Sequence, residues 1–188
     1  MSKGKLEKFA EVATFPNVFE LPFLFKSGDF VLKGKWHDNY FKNENPLVLE
    51  LGCGKGEYTV GLAEKFPNKN FIGIDIKGSR LWRGAKFALE NKMKNVAFVR
   101  TRIDHIEMVF AFAEVDEIWI TFPDPQPQKT RERKRLTSPM FLNRYTKILK
   151  PGGILNLKTD NFQLYEYSKQ IAEEMNFKIL AEIGRAHV

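Results

Sequence analysis

Short apolar segments alternate with segments of helical periodicity along most of this chain of 188 residues. The pattern predicts strands at 46–51, 70–76, 95–100, 115–122, 154–159 and 177–183, and helices at 56–66, 78–93, 105–113, 138–150 and 161–175. Strands that alternate with helices at this spacing predict a parallel sheet covered by helices on both faces. Ligands of such sheets bind beyond the carboxyl ends of the strands, so the residues that follow each strand are the first candidates for a functional site.

Residues 1–45 are rich in Phe, Pro and Gly and have no steady periodicity. They predict an arm, with a short helix near 4–12, that packs its aromatic side chains on a single domain formed by 46–188. No apolar run reaches the roughly 18–20 residues that span a membrane, and the N-terminus has no secretory apolar core. A single cysteine, Cys53, excludes an internal disulfide and favours a reducing compartment. We therefore expect a cytoplasmic protein without a membrane segment.

A glycine-rich turn follows the first predicted strand in "LELGCGKGEY", with Gly52, Gly54 and Gly56 at alternate positions. Such glycines let the backbone turn tightly and approach a ligand, and the next helix points its N-terminus at the site. The spacing differs from the dinucleotide fingerprint G-x-G-x-x-G, and Glu50 would repel a pyrophosphate. These features disfavour a dinucleotide oxidoreductase. They indicate a ligand with an ammonium or sulfonium group and no phosphates, which S-adenosylmethionine satisfies.

Charged residues also follow the second and third predicted strands. The carboxylate of Asp75 is placed to accept hydrogen bonds from both hydroxyls of a ribose. Arg102 and Asp104 lie where the adenine edge is expected, although Asp104 is also placed to cap a helix that starts at His105. Three scattered histidines and the lack of a cysteine pair predict no metal site.

The fourth predicted strand runs into "ITFPDPQPQKTRERKRL", residues 120–136. Pro123 and Pro125 restrict the backbone on both sides of Asp124, so its carboxylate is held at the strand end. Five cations follow at the rim of the same edge, where they suit phosphates: Lys129, Arg131, Arg133, Lys134 and Arg135. The alternative is a proline-rich turn with a capping Asp, and the neighbouring cations argue against it.

The distribution of charge favours an anionic partner. The net charge is +7, and residues 77–102 hold eight Lys or Arg against one acid, Glu90. Together with the cations of 126–135, this is the pattern of a nucleic-acid footprint. For 77–102 alone, the solvated face of one amphipathic helix is the alternative. One more carboxylate, Asp160, follows the fifth predicted strand at the same edge of the sheet.

Together these motifs resemble the TrmB-type family of tRNA (guanine-N7)-methyltransferases. The resemblance covers roughly residues 17–180 and rests on "VLELGCGKGEYTVGLA", "GIDIKGSR", "FPDPQPQKTRERKRLTSPMFL" and "LKTDN". It implies a class I S-adenosylmethionine-dependent methyltransferase fold, an α/β Rossmann-like sheet with helices on both faces. It also implies methyl transfer to N7 of a guanine in the tRNA variable loop. We expect tRNA as the partner, no metal, and a monomer or homodimer.

The resemblance also assigns roles by position. The S-adenosylmethionine site would comprise Glu50, Gly52, Gly54, Gly56, Asp75, Arg102 and Asp124. Asp124 would also be the catalytic residue, closest to the chemistry. Gln128 and Asp160 would contact the guanine or its nucleotide, and Lys129, Arg131, Arg133, Lys134 and Arg135 would hold the tRNA backbone. Because guanine N7 carries a free lone pair, no general base is required, and nearby carboxylates would stabilise the positive charge that reaches the purine ring.

The sequence departs from the family pattern PDPWPK and its surroundings at four positions. Gln126 stands where Trp is common, Gln128 where Lys is common, Arg131 where His is common, and Arg102 where Asn or Asp is usual. The adenine contact at 102 and the substrate contact at 128 are therefore expected to differ from the family's.

The C-terminal end differs as well. The family fold closes with a hairpin whose last strand is antiparallel, whereas about one strand is predicted here before Val188, and the family's Thr-x-x-Glu motif is absent. Residues 183–188, "IGRAHV", equal a reading-frame translation of a common sequencing adapter. We therefore expect an incomplete hairpin, a natural protein that continues further, and reduced stability or activity of the 188-residue chain.

Two rival functions remain open at this point. One is a tRNA-binding subunit without catalysis, which would not need Glu50, the glycines and Asp75. The other is a class I methyltransferase for a small molecule or a protein, which would not need the cationic segment. Binding of S-adenosylmethionine and salt-dependent binding of tRNA distinguish them.

Overall fold

The computed structural model describes residues 4–21 and 30–184. Residues 1–3 and 22–29 of the predicted arm, and residues 185–188 of the end attributed to an adapter, lie outside the described residues. The strands are β1 (Val18–Glu20), β2 (Leu47–Leu51), β3 (Asn70–Asp75), β4 (Val96–Arg100), β5 (Val115–Thr121) and β6 (Leu149–Lys158). The α-helices are α1 (Lys5–Val12), α2 (Glu57–Lys65), α3 (Gly78–Glu90), α4 (Ile106–Val109), α5 (Pro139–Ile148) and α6 (Phe162–Glu174).

The six strands form one sheet in the order β1-β4-β3-β2-β5-β6, and every neighbouring pair is parallel. From β2 the chain steps outward through β3 to β4, and then returns to the other side of β2 with β5 and β6. The direction of connection therefore reverses between β2 and β5, which is the switch point where sheets of this kind bind ligands. The parallel sheet predicted from the alternating pattern is confirmed.

Apolar side chains of the strands pack into two separate clusters, one against α2 and α3 and the other against α4, α5 and α6. The first cluster contains Val48, Val60, Leu81 and Phe98, and the second contains Leu49, Ile72, Ile106, Tyr145 and Ile171. Strands that alternate in this way bury apolar surface on both faces. The helices therefore cover both faces, as predicted, and leave the strand ends as the accessible edge.

Three glycines surround the buried ring of Phe98 on β4. A Cβ atom built on Gly56, Gly73 or Gly84 would lie 2.6–2.9 Å from a ring carbon. Because real Cβ atoms do not approach so closely, only glycine allows the glycine-rich turn, β3 and α3 to close on this ring. The turn that follows β2 is thus positioned by packing as well as by its own conformation.

The N-terminal segment joins the sheet. The three residues of β1 pair with β4 from Val18 opposite Phe98 to Glu20 opposite Arg100, a strand that the sequence pattern did not predict. Phe19 meets the rings of Trp36 and Tyr40 edge-on, at centroid distances of 5.5 Å and 5.2 Å. Such T-shaped pairs add to the burial of aromatic surface. β1 therefore belongs to the sheet of the main domain. The division of the chain at residue 45 stays a prediction.

The strand predicted at 177–183 is wrong, since residues 177–184 form no strand. Glu182 instead contacts α6, where it accepts a hydrogen bond of 2.6 Å from the Tyr165 hydroxyl and pairs with Lys169 at 2.8 Å. The apolar alternation of this segment has strand character, but a strand also needs a hydrogen-bonding partner. Here the segment lies against the helix rather than beside β6.

Within the described ranges, every helix is too short or too polar to cross a lipid bilayer.

Candidate active site

Glu50 lies at the switch point, on β2, and is 4% exposed. One carboxylate oxygen accepts a hydrogen bond of 2.5 Å from the Thr59 hydroxyl on α2, and the other accepts one of 2.6 Å from the Thr121 hydroxyl at the end of β5. The two threonines hold the carboxylate in one orientation. Sequence reasoning predicted Glu50 but missed both threonines, whose only signal is their position beside the strand and turn that carry the site.

Burial raises the pKa of the Glu50 carboxyl, while the hydrogen bonds from Thr121 and Thr59 act in the opposite direction and offset only part of it. The negative charge of Asp75 also raises it. An ionised carboxylate here is therefore costly to the folded protein on its own. A cationic ligand group close by would relieve that cost.

We expect Glu50→Gln to make the ligand-free protein more stable at neutral pH and weaker in cofactor binding. A carboxyl with a raised folded-state pKa loses stability as the pH rises from the ordinary glutamate pKa, about 4.5, through the raised value. Gln is neutral throughout and keeps a shape that fits both hydroxyls. The melting temperature of the variant should exceed that of the wild type near pH 7, and the gap should shrink toward about pH 4.

Glu107 provides a control of the opposite sign. Burial acts upward on its pKa, but the ion pairs with Lys147 and Arg144, both at 2.7 Å, prevail and lower it. Stability from this group is therefore present above the ordinary pKa and is lost as the pH falls. Glu107→Gln should lower the melting temperature near pH 7 and converge with the wild type in acid. If both variants shift in the same direction, burial does not govern Glu50.

The glycine-rich turn after β2 has left-handed backbone at its three glycines. The φ angles of Gly52, Gly54 and Gly56 are 72°, 57° and 73°. A Cβ atom built on Gly54 would meet no atom within 4 Å, so this backbone borders open space. Left-handed glycines beside an open space allow a ligand to approach the main chain closely.

Asp75 ends β3 next to this turn and is 9% exposed. One carboxylate oxygen accepts a hydrogen bond of 2.9 Å from the Gly54 amide, and the other accepts one of 2.8 Å from the Lys77 amide. These amides orient the carboxylate and leave its remaining lone pairs for a ligand. Its geometry therefore fits the ribose role expected of it, which stays a prediction.

Cys53, between the glycines, is buried. Burial raises the pKa of its thiol well above the ordinary value, and the negative charges of Glu50 and Asp75 raise it further. A thiol in such surroundings stays protonated and unreactive. Cys53 is therefore a packing residue and not a nucleophile.

Asp124 lies three residues beyond β5, in a turn with unusual backbone angles. Phe122 and Gln126 have φ angles of 46° and 45°, in the left-handed region that residues other than glycine rarely occupy. The Phe122 amide donates to the Lys158 carbonyl at 2.7 Å, and the Gln126 amide donates to the Asp124 carboxylate at 3.0 Å. The exposed carboxylate is thus held at the carboxyl edge of the sheet, as the flanking prolines predicted.

The cationic segment that follows forms a 3₁₀ helix, Lys129–Lys134, with Gln128 directly before its first residue. Four of the predicted tRNA-binding side chains are exposed on it: Lys129, Arg131, Arg133 and Lys134. Arg135 differs, because its guanidinium donates to the carbonyls of Pro125 and Gln126 and covers the ring of Tyr167 at 4.2 Å. The tRNA contacts of these residues and of Gln128 stay predictions.

Arg102 lies just beyond β4 and donates to Asp104 through its guanidinium. It borders a cavity of about 560 Å³ that also receives cations from the 3₁₀ helix and α5: Arg133, Lys134 and Arg144. The adenine contact predicted for Arg102 is not tested by this arrangement. Asp160 is exposed in the turn between β6 and α6, at the same edge.

The aromatic side chains of Tyr58 and Phe122 also lie at this edge of the sheet, and sequence reasoning missed both. The Lys158 ammonium donates to the Tyr58 hydroxyl at 2.6 Å and lies 5.4 Å from the centre of the Phe122 ring. The only sequence signal is that Phe122 directly follows a strand and Tyr58 lies in the first turn of the helix after the glycines. In the described part of the chain, no group of three or more His, Cys, Asp or Glu is placed to hold a metal ion.

Comparisons with known proteins agree with this geometry. A family model described as "Putative methyltransferase" matches residues 44–186. A tRNA (guanine-N(7)-)-methyltransferase of Bacteroides thetaiotaomicron is 56% identical over 174 residues, which are 92% of this chain and 68% of the relative. The protein of the same name from Christiangramia forsetii is 56% identical over 181 residues, 95% of this chain and 80% of the relative.

A solved structure of an antibiotic-related methyltransferase has the same fold. It superposes with a TM-score of 0.58 at 20% identity and covers 80% of this chain and 75% of that chain. At this level of identity the likeness concerns the fold alone.

Proposed function

The chain belongs to the tRNA (guanine-N7)-methyltransferase family, and on that premise we propose that it methylates N7 of a guanine in tRNA, with S-adenosylmethionine as the methyl donor. We further propose that the target is the guanine at position 46 of the variable loop. One arrangement supports this most directly. The glycine-rich turn, Asp75 and the Asp124 turn meet at one edge of the sheet, with the exposed cations beside them.

The residues at this edge fit S-adenosylmethionine, which supplies a methyl group on a cationic sulfur. The space beside Gly54 admits a ligand to the backbone, and the two oriented oxygens of Asp75 suit a pair of ribose hydroxyls. Glu50 places a negative charge at the switch point, where it favours a cationic ligand and disfavours phosphates.

Asp124 and Asp160 act on the guanine in this proposal. N7 has a free lone pair, so the protein has no proton to remove before transfer. Its work is to align the base with the methyl group and to stabilise the positive charge that the purine acquires. A carboxylate held at the edge by the Gln126 amide is suited to that charge.

The 3₁₀ helix holds the tRNA backbone in this proposal. Its four exposed cations follow the Asp124 turn within ten residues of sequence, so phosphates bound there would bring the target base toward the carboxylate. Contacts of this kind position a nucleic acid without reading its sequence. A tRNA substrate and a single reduced cysteine fit a cytoplasmic location, and a monomer or homodimer remains the expectation for the assembly.

The decisive experiment is methyl transfer from labelled S-adenosylmethionine to unmodified tRNA, with the product mapped by chain cleavage at N7-methylguanine. We expect one labelled site in the variable loop, and no label in a tRNA that carries adenine at that position. Binding of tRNA without binding of S-adenosylmethionine would favour the non-catalytic subunit. Transfer to a different class of molecule would favour the other rival.

A further inference from the structure

Arg135 has a different environment from the other cations of its segment. Its guanidinium makes three hydrogen bonds of 3.2–3.3 Å to the main-chain carbonyls of Pro125 and Gln126. The same group covers the ring of Tyr167 on α6, with the guanidinium carbon 4.2 Å from the ring centre. A guanidinium used in this way is directed into the protein and not toward a nucleic-acid backbone.

The backbone that carries Arg135 is itself anchored. Two residues later, the Thr137 hydroxyl forms a hydrogen bond of 2.7 Å with the hydroxyl of Ser168 on α6. The Ser138 amide donates to the Arg135 carbonyl at 3.0 Å. Arg135 is therefore a fixed point from which a rigid fork of donors reaches back across the loop.

The guanidinium of Arg135 supports a residue with a strained backbone, Gln126. Gln126 has a φ of 45°, which costs about 1 kcal/mol or more for a residue with a side chain. In that conformation its carbonyl faces Arg135, while its amide donates to the carboxylate of Asp124 at 3.0 Å. A chain of contacts thus runs from Tyr167 through Arg135 and Gln126 to Asp124.

We propose that Arg135 is a positioning residue, which holds Gln126 in its left-handed conformation and thereby fixes the Asp124 carboxylate toward the target base. This inference rests on the proposed function. It replaces the tRNA-backbone role that the charge pattern predicted for Arg135, and it leaves that role to the exposed cations. Tyr167 supports Arg135 by stacking.

Arg135→Lys separates the two roles, because lysine keeps the charge but lacks the planar fork. If Arg135 positions Asp124, the kcat of methyl transfer should fall about 10- to 100-fold, whereas the KM for tRNA should stay within about twofold. Arg131→Ala is the matched control from the same 3₁₀ helix. It should raise the KM for tRNA and lower the slope of log affinity against log salt by about one.

Two further measurements make the inference specific. Glycine adopts a positive φ at little cost, so Gln126→Gly in the Arg135→Lys protein should recover most of the lost kcat. Hydrogen exchange at the Gln126 amide should become faster in Arg135→Lys and in Tyr167→Leu, and unchanged in Arg131→Ala. This exchange is read without any substrate, so it tests the clamp even if the wild type fails to methylate tRNA.

The outcomes of these experiments distinguish a positioning role of Arg135 from a phosphate-binding role. Unchanged kcat and unchanged amide exchange in Arg135→Lys would overturn the proposal. In Arg135→Ala, which removes the charge, a raised KM for tRNA with a salt slope lower by about one and an unchanged kcat would return Arg135 to the phosphate-binding role. Faster exchange at the Gln126 amide together with a lower kcat in Arg135→Lys, with most of the kcat recovered by Gln126→Gly, would establish it.

Discussion

Replacing Asp124 by Asn is expected to lower the rate of methyl transfer about 10²- to 10³-fold, the size of effect seen when one preorganised electrostatic group is removed from an active site. Asn keeps an oxygen that accepts the hydrogen bond from the Gln126 amide, so the turn should survive. What is lost is the negative charge beside the purine ring as the ring becomes positive. The affinity for tRNA should not fall, because a negative charge has been removed from a surface that meets a polyanion.

Single-turnover transfer at saturating S-adenosylmethionine and tRNA measures this effect, and calorimetric titration measures cofactor binding separately. Asp116→Asn is the matched control, since Asp116 lies at the opposite end of β5, where it accepts from the Leu47 amide and pairs with Lys150 at 2.8 Å. That variant should leave the rate unchanged. A full rate in Asp124→Asn would remove Asp124 from the chemistry.

The second large effect is expected from Gly56→Ala, which should destabilise the fold by about 2–4 kcal/mol. The φ of Gly56 is 73°, and a Cβ there would lie 2.6 Å and 2.9 Å from two ring carbons of Phe98. Phe98 is fully buried, and its ring also lies close to Gly73 and Gly84, so a shift away from the new methyl group is opposed by the surrounding packing. For a domain of this size, the melting temperature should fall by about 4–16 °C.

Gly54→Ala is the informative partner of that variant. Its φ of 57° also disfavours a side chain, but nothing lies within 4 Å of the new methyl group. Stability should fall by only about 1 kcal/mol, while the affinity for S-adenosylmethionine should fall about tenfold or more, because the methyl occupies the space proposed for the ligand. Thermal unfolding and cofactor titration of both variants give the comparison. Equal cofactor affinity of Gly54→Ala and the wild type would place the ligand elsewhere.

The glycine-rich turn and the order of strands and helices could be predicted because they follow short local patterns. The glycines at alternate positions predict a tight turn after the strand, and the positive φ angles of Gly52, Gly54 and Gly56 form it. The alternation of apolar and helical segments was enough for the parallel sheet. The expected S-adenosylmethionine-dependent methyltransferase fold is likewise confirmed by the family match and by the solved structure of the same fold.

The parts that could not be predicted depend on contacts between distant segments. Thr121 reaches Glu50 across 71 residues of sequence, and no local pattern marks that pair. The sequence shows that Arg135 is charged, but it does not show where the side chain points, because that depends on its contact with Tyr167 on another helix. The strand predicted at 177–183 is wrong although the segment has apolar alternation, because its contacts are with α6 instead of the sheet.

The small edge strand β1 has a consequence for how the chain is made. Its last residue, Glu20, pairs with Arg100, 80 positions later, and Trp36 stacks on Phe110 at 5.7 Å. At roughly 5–20 residues per second, a ribosome needs about 4–16 s to add the residues between Glu20 and its partner. During that interval β1 has no partner strand, and Trp36 has no Phe110 ring to stack on. A strand that precedes its partner by 80 residues is thus among the last elements to dock, and the nascent chain is most exposed to aggregation and to chaperones before β4 emerges.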